Sequence, residues 1–190
     1  MENQFKKYYT SDKDFNLFRF TLKQLPCPHC KLAGALILHG YLNGYDEGPL
    51  NKKVVRGRRI FCSNRRKHFK GCGLTFCVLL AGILKNFSIT AKSLWCFLEH
   101  ILPSSSKIEA FRYLKFPMSA SSCYRLWKRF STSQSRIRTF LVRLSTPPEL
   151  PITSCPTTQT IAHLESAFGN RTTLTSPVAA FQAYFQIPLL

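Results

Sequence analysis

The stretch Leu25-Pro26-Cys27-Pro28-His29-Cys30 places two cysteines two residues apart inside a proline-containing turn. At this spacing both thiolates reach one metal ion while the backbone amides between them point at the sulfurs. A tetrahedral site needs a second pair. Cys62 and Cys72 are our candidates, because the first ends a strand-like segment and the second opens a Cys-Gly turn. The four thiolates predict a closed, structural zinc site that holds together a small β unit.

The long separation between Cys62 and Cys72 in the sequence leaves open which residues complete the metal site. Nine residues lie between Cys62 and Cys72, where about two to four are usual, so a basic loop would have to bulge out of the turn. His68 and Cys77 compete for the fourth position. We place Cys77 in the hydrophobic core because it lies inside Phe-Cys-Val-Leu-Leu. The other candidates are expected to be surface histidines or structural thiols: His29, His39, Cys96, Cys123 and Cys155.

The charge of the chain indicates its class of partner. Lys and Arg number 27 against 9 Asp and Glu, a net charge of +18, and no acidic residue lies between Glu47 and Glu99 or between Glu109 and Glu149. This segregation predicts two basic contact surfaces for phosphate backbones or anionic membranes. The start of the chain has no apolar signal region, and the longest apolar run, Phe76–Leu84, is too short to span a bilayer. We therefore expect a cytoplasmic protein with reduced cysteines and no membrane partner.

Strand and turn patterns follow the first cysteine pair. Ala35–Leu38 and Lys53–Cys62 are strand-like, and the segment 39–51 between them holds three glycines and a proline, which predicts a loop. Residues 1–20 show no clear period, so no element is predicted there.

Helical patterns begin at Ser88, which is expected to cap a helix through Leu102. Ser106-x-x-Glu109 reads as a capping box that opens a short helix through Leu114. After a break at 116–118, Ser119 caps a long helix to about Leu144. Its apolar positions form one stripe: Cys123, Leu126, Trp127, Phe130, Ile137, Phe140, Leu141 and Leu144.

The last two of these helices have helix-turn-helix proportions, with the second helix starting near Ala120. That helix would enter the major groove of double-stranded DNA by its N-terminal end. The alternative is a helical bundle with a solvated basic face. The absence of acidic residues favours DNA, because solvated faces usually mix both signs. The predicted DNA contacts are Arg58, Arg59, Arg65, Arg66, Lys67, Lys70, Ser121, Ser122, Arg125, Lys128, Arg129 and Arg136.

Five motifs carry a family resemblance: CPHC at 27–30, LILHG at 36–40, GRRIFC at 57–62, CGLTF at 72–76 and MSASSCYRLWKRF at 118–130. With them the chain resembles the small zinc-ribbon and helix-turn-helix proteins encoded in bacterial insertion elements, and the DNA-binding half of many transposases. Such transposases use three carboxylates on a ribonuclease-H-like domain, whereas the aspartates here all precede the helical part. The resemblance implies a non-catalytic, nucleoid-associated accessory or regulatory factor of a mobile element, or the remnant of a truncated transposase.

The expected fold class is α+β, with a β zinc ribbon followed by a mainly α helix-turn-helix domain and a short C-terminal tail. The expected divisions are an N-terminal segment 1–24, the ribbon 25–80, the helical domain 83–146 and a linker with an apolar interaction segment 147–190. A different function is an RNA-binding zinc ribbon, whose stacking aromatics would be Tyr41, Tyr45, Phe61 and Phe69. An enzyme is not expected, because clusters with catalytic spacing are absent.

The tail after Glu149 has only two charged residues and two apolar pieces, Thr160–Phe168 and Pro177–Ile187. These pieces follow helical spacing and are too aromatic to be left in water. Two alternatives remain open. The tail folds back onto the helical domain, or residues 150–190 dock on a second copy of the chain or on a transposase or recombinase.

Overall fold

The computed structural model describes residues 5–45, 47, 52–65, 70–102, 106–114, 119, 121–151, 154–169, 174 and 176–190. The chain divides into two compact units, Met1–Ala81 and Gly82–Leu190. Strands lie in the first unit and most helices in the second, so the α+β class is confirmed. Among the described helices, none is long and apolar enough to cross a membrane.

The first unit is built on a four-stranded sheet. Its strands are β1 (Tyr8–Tyr9), β2 (Leu36–Gly44), β3 (Val54–Cys62) and β4 (Thr75–Leu80), with helix α1 (Asp12–Thr21) after β1. The spatial order is β1-β4-β3-β2; β3 pairs antiparallel with β2 and β4, and β1 pairs parallel with β4. The predicted loop 39–51 is wrong in its first half, because β2 continues through a bulge near Gly40 as far as Gly44.

Helix α1 is an element that the sequence patterns did not reveal. Ser11 caps it by accepting a hydrogen bond from the Asp14 amide at 3.2 Å. Phe15 and Phe18 are buried in the core of this unit, whereas Phe20 on the other side is 81% exposed. Because an exposed aromatic residue lies among the buried ones, the apolar period of this short helix is obscured.

The second unit contains five described helices: α2 (Ala91–Ile101), α3 (Lys107–Arg112), α4 (Ser121–Val142), α5 (Pro156–Phe168) and α6 (Pro177–Phe185). Ser106 caps α3 as predicted. The predicted cap of α2 is wrong, since Thr90 and not Ser88 accepts from the Ser93 amide. Thr90 pairs in an isolated β-bridge with Ile83, which keeps the intervening residues out of the helix.

The apolar stripe of α4 is confirmed, because Cys123, Leu126, Phe130, Ile137 and Leu141 are all at most 2% exposed. Helix α4 begins at Ser121, two residues after Ser119, whose carbonyl accepts from the Ser122 amide. The predicted break at 116–118 and Ala120 lie outside the described residues.

The C-terminal segment is part of the second core. Leu164, Val178 and Phe181 are fully buried among residues of α2 and α4. Gln182 is also fully buried, and its amide donates to the Ile83 carbonyl and accepts from the Leu189 amide. These contacts show that the C-terminal segment folds back onto the other helices of the second unit.

Candidate metal centre

Four cysteine sulfurs converge in the first unit. The Sγ atoms of Cys27, Cys30, Cys62 and Cys72 all lie within 4.8 Å of one another, and those of Cys27 and Cys72, like those of Cys30 and Cys62, are 3.7 Å apart. A disulfide needs about 2.05 Å, so these pairs are thiols. A tetrahedron of sulfurs around a metal at about 2.3 Å has edges of about 3.8 Å. The cluster therefore has dimensions that fit one tetrahedral metal ion.

The first two ligands lie on a tight turn that begins at Cys27. The Lys31 amide donates to the Cys27 carbonyl at 3.0 Å, and the Cys27 amide donates to the Leu32 carbonyl at 2.9 Å. Lys31 adopts a left-handed backbone with φ of 62°, which reverses the chain directly after Cys30. The turn thus holds both sulfurs on the same side, as the two-residue spacing predicts.

Backbone hydrogen bonds join the two ends of the long insertion between Cys62 and Cys72. The Gly71 amide donates to the Ser63 carbonyl at 2.8 Å, and the Gly73 amide donates to the Cys62 carbonyl at 3.0 Å. These bonds bring Cys72 beside Cys62 as a short turn would. The Cys72 amide also donates to the Cys62 sulfur at 3.3 Å, a hydrogen bond that stabilises a thiolate.

Gly71 is a requirement of the site that the sequence analysis missed. A Cβ at this position would lie 2.4 Å from the Cys62 sulfur and 2.7 Å from the Ser63 carbonyl oxygen. Both distances are far below contact, so every other residue would displace a ligand or the backbone beside it. The sequence feature that indicates this requirement is the glycine directly before Cys72.

The thiols differ in their ease of ionisation. Burial raises the pKa of Cys62 to about 12 and raises the pKa of Cys27 as well. Cys30 is exposed, and a hydrogen bond with the Leu32 backbone lowers its pKa to about 7. In the metal-free protein at neutral pH, Cys27 and Cys62 are therefore protonated, and a metal ion must displace those protons to bind.

The other residues considered as ligands differ in where the structure places them. Cys77 is exposed on β4, where its Cα pairs with that of Arg59, so its predicted place in the core is wrong. It lies outside the cluster of four sulfurs. His68 lies outside the described residues. His29 and His39 are exposed, as expected.

The three remaining cysteines differ in their exposure to solvent. Cys123 is buried and Cys96 is half-buried, consistent with apolar helix faces. Cys155, which was also expected to be a structural thiol, is exposed at the start of α5, where its sulfur lies 3.2 Å from the Thr158 hydroxyl. The proline after it begins the helix and leaves this residue at the surface.

The basic residues predicted on the first unit have two kinds of environment. The Arg58 side chain is only 12% exposed; it forms an ion pair with Asp12 at 2.7 Å and lies 4.0 Å from the centre of the Tyr41 ring. These partners give Arg58 a structural role, and we leave it out of the proposed nucleic-acid surface. Arg59, Arg65 and Lys70 are exposed, whereas Arg66 and Lys67 lie outside the described residues.

The residues predicted on α4 also divide into two sets. Ser121, Arg125, Lys128 and Arg129 are exposed along its N-terminal half, whereas Ser122 is only 9% exposed. Arg136 donates to the Pro188 and Leu189 carbonyls at 3.0 and 3.1 Å. Arg136 therefore holds the C-terminal segment, and like Ser122 we leave it out of the proposed surface.

Comparison of the chain with protein-family models, curated proteins and solved structures gives no match.

Proposed function

We propose that this chain is a non-catalytic protein that binds double-stranded DNA and folds its first unit around one structural zinc ion. The observation that carries the zinc proposal is the tetrahedral spacing of four sulfurs, with 3.7 Å between the paired atoms. Four thiolates leave no coordination position for water or substrate, which is typical of structural sites. Tetrahedral thiolate sites suit zinc or iron, and elemental analysis of the purified protein distinguishes the two metals.

The DNA proposal rests on the exposed face of α4. Arg125, Lys128 and Arg129 extend from its N-terminal half, and among the described residues of this helix there is no acidic side chain. Unpaired cations on one helix face fit the phosphates and base edges of a groove. We propose that α3 and α4 act as a helix-turn-helix, with Arg125 toward the bases and Lys128 toward a phosphate.

A second contact region is proposed on the first unit. Arg59, Arg65 and Lys70 are exposed near the insertion between Cys62 and Cys72. Lysine and arginine side chains on such a loop neutralise phosphates without reading sequence. By the resemblance stated above, we propose that the protein is an accessory or regulatory factor of a mobile element that acts at the nucleoid.

The deciding experiment compares the affinity of the full chain for duplex DNA, single-stranded DNA and structured RNA at equal salt. Preference for duplex DNA supports the proposal. The Arg125→Ala variant should lose affinity, whereas Lys92→Ala, which removes an exposed lysine on α2, should not. Equal weak binding of all three nucleic acids would contradict a duplex-binding function.

RNA binding is the second candidate, and one observation favours it. Tyr41 and Tyr45 are 55% and 43% exposed, and the Lys53 ammonium lies 5.8 Å from the centre of the Tyr45 ring. Exposed aromatic rings beside cations stack on unpaired bases. Tighter binding to structured RNA than to duplex DNA, lost in Tyr45→Ala, would establish this alternative.

A further inference from the structure

A basic cleft lies in the second unit beside α4. It consists of two adjoining cavities of about 240 and 330 Å³, which share Asn86, Phe87 and Arg125 in their linings. Ser122 also lines the smaller cavity, and Lys85 and Arg129 also line the larger one. Lys85 and Asn86 were not among the functional residues that the sequence patterns indicated.

One wall of the cleft is the loop 84–89, which is held at its base. Ile83 and Thr90 form a β-bridge across the loop, and the buried Gln182 amide donates to the Ile83 carbonyl at 3.0 Å. Asn86 has a left-handed backbone with φ of 66°, which turns the chain at the rim. Contacts within the protein therefore hold this loop in place without a ligand.

Residues of the C-terminal segment form another part of the lining. Arg136 of α4 binds the Pro188 and Leu189 carbonyls, and the Leu189 amide donates to the Gln182 side chain at 3.2 Å. Pro188 and Leu190 consequently line the larger cavity. The segment that ends the sequence thus helps to shape a concave site around side chains of α4.

The charged side chains that line the cleft are all of one sign. Lys85, Arg125 and Arg129 line the larger cavity, all three are exposed, and no acidic side chain lines either cavity. Neither the ion pair of Lys6 with Asp14 nor that of Arg58 with Asp12 involves a residue of the cleft. A concave site lined by charges of one sign focuses its field and concentrates anions.

We propose that this cleft binds the phosphate group of one nucleotide unit of a nucleic acid, with Lys85 and Arg129 as the main anion ligands. The proposal rests on the proposed nucleic-acid function and adds a phosphate site that α4 alone does not form. Three cations suit a phosphate better than a lone carboxylate. Phe87 supplies an apolar surface for the sugar or base, in a cavity at the small end of the usual range for ligand sites.

The direct test follows backbone amide signals by NMR while the full chain is titrated with inorganic phosphate and with a nucleoside 5′-monophosphate. We expect saturable shifts at Asn86 and Phe87. Lys85→Ala should weaken this binding about tenfold, and Lys92→Ala should leave it unchanged. Shifts that do not saturate, or that persist unchanged in Lys85→Ala, overturn the site. Melting temperatures of both variants check that the fold is retained.

A second measurement separates this proposal from the proposed function. In duplex binding over a series of salt concentrations, Lys85→Ala should lower the salt slope by about one unit, as expected for one lost phosphate contact. If the wild type binds duplex DNA and Lys85→Ala behaves as Lys92→Ala does, the cleft proposal fails while DNA binding stands. If the wild type binds no duplex but the monophosphate titration saturates, DNA binding fails and the cleft is a site for free nucleotides.

Discussion

The sulfur atoms of Cys30 and Cys62 lie 3.7 Å apart although 32 positions separate these residues in the chain. The sheet creates this contact. Leu36, at the start of β2, pairs with Cys62 at the end of β3, and the Ser63 amide donates to the Ala35 carbonyl at 2.8 Å. The metal site and the register of β2 with β3 therefore depend on each other.

Cys27→Ser is expected to remove the metal and unfold the first unit, because the remaining three thiolates no longer close the tetrahedron. Elemental analysis of wild-type protein purified without chelator should give about one zinc per chain. Cys77→Ser is the matched control, since Cys77 is exposed outside the cluster. Iron in place of zinc, or zinc lost from Cys77→Ser but retained in Cys62→Ser, would contradict the proposed site.

Gly71→Ala is expected to weaken metal binding and destabilise the first unit by about 1–3 kcal/mol, because the added methyl group collides with the Cys62 sulfur. Zinc affinity can be measured in competition with a chelator, and stability by thermal melting. Gly82→Ala is the control, since a Cβ there meets no atom within 4 Å. Wild-type zinc affinity in Gly71→Ala would show that the close packing around Cys62 is not needed.

Proton release on zinc binding should depend on pH. Throughout the range from pH 6 to pH 8, metal binding displaces a proton into the buffer from Cys62, whose pKa is about 12, and from Cys27, whose pKa is also raised. Cys30, with a pKa of about 7, is a thiol at the acid end and a thiolate at the alkaline end. The number of protons released should therefore fall by roughly 0.8 between pH 6 and pH 8.

Calorimetry in two buffers of different ionisation enthalpy measures that number. Cys30→Ser should abolish tight zinc binding, as expected when one of four ligands is lost. Proton release that stays constant over this range in the wild type would show that Cys30 does not carry the low pKa.

Arg125 and Lys70 should affect DNA binding in different ways. Arg125→Ala should reduce affinity for the preferred duplex by roughly 1–3 kcal/mol and flatten sequence preference, because arginine reads base edges. Lys70→Ala should weaken all duplexes alike and lower the salt slope by about one unit. Binding to a preferred site and to random duplexes over several salt concentrations measures both effects. Equal losses on both duplexes in Arg125→Ala would refute the assignment of α4 as the recognition helix.

Gln182→Leu should destabilise the second unit by about 1–3 kcal/mol for each polar group left unpaired. The buried Gln182 side chain joins the Ile83 carbonyl to the Leu189 amide, and the variant leaves both without this partner. Gln159→Leu, at an exposed position on α5, is the control. Unfolding by denaturant measures the difference, and equal stability of the two variants would contradict a bridging role for Gln182.

Features set by local rules could be predicted from the sequence. The Cys27–Cys30 spacing, the cap at Ser106 and the apolar stripe of α4 each depend on neighbouring residues or on one helical period. The same kind of argument failed at Cys77, because alternate residues of a strand face opposite sides of the sheet and the apolar run does not show which side is covered. It also failed at Ser88, where a β-bridge delays the start of α2.

The sequence by itself determined which residues are available for a tetrahedral thiolate site and that the chain carries a large excess of positive charge. The tertiary structure decided how these residues are used. The hydrogen bond from the Gly71 amide to the Ser63 carbonyl closes a long insertion, so that the Cys72 sulfur lies beside the other three. Packing also engages Arg58 and Arg136 in structural contacts while leaving Arg125 and Arg129 exposed. The physical reason is that charge and ligand type belong to single residues, whereas proximity and burial depend on segments far apart in the chain.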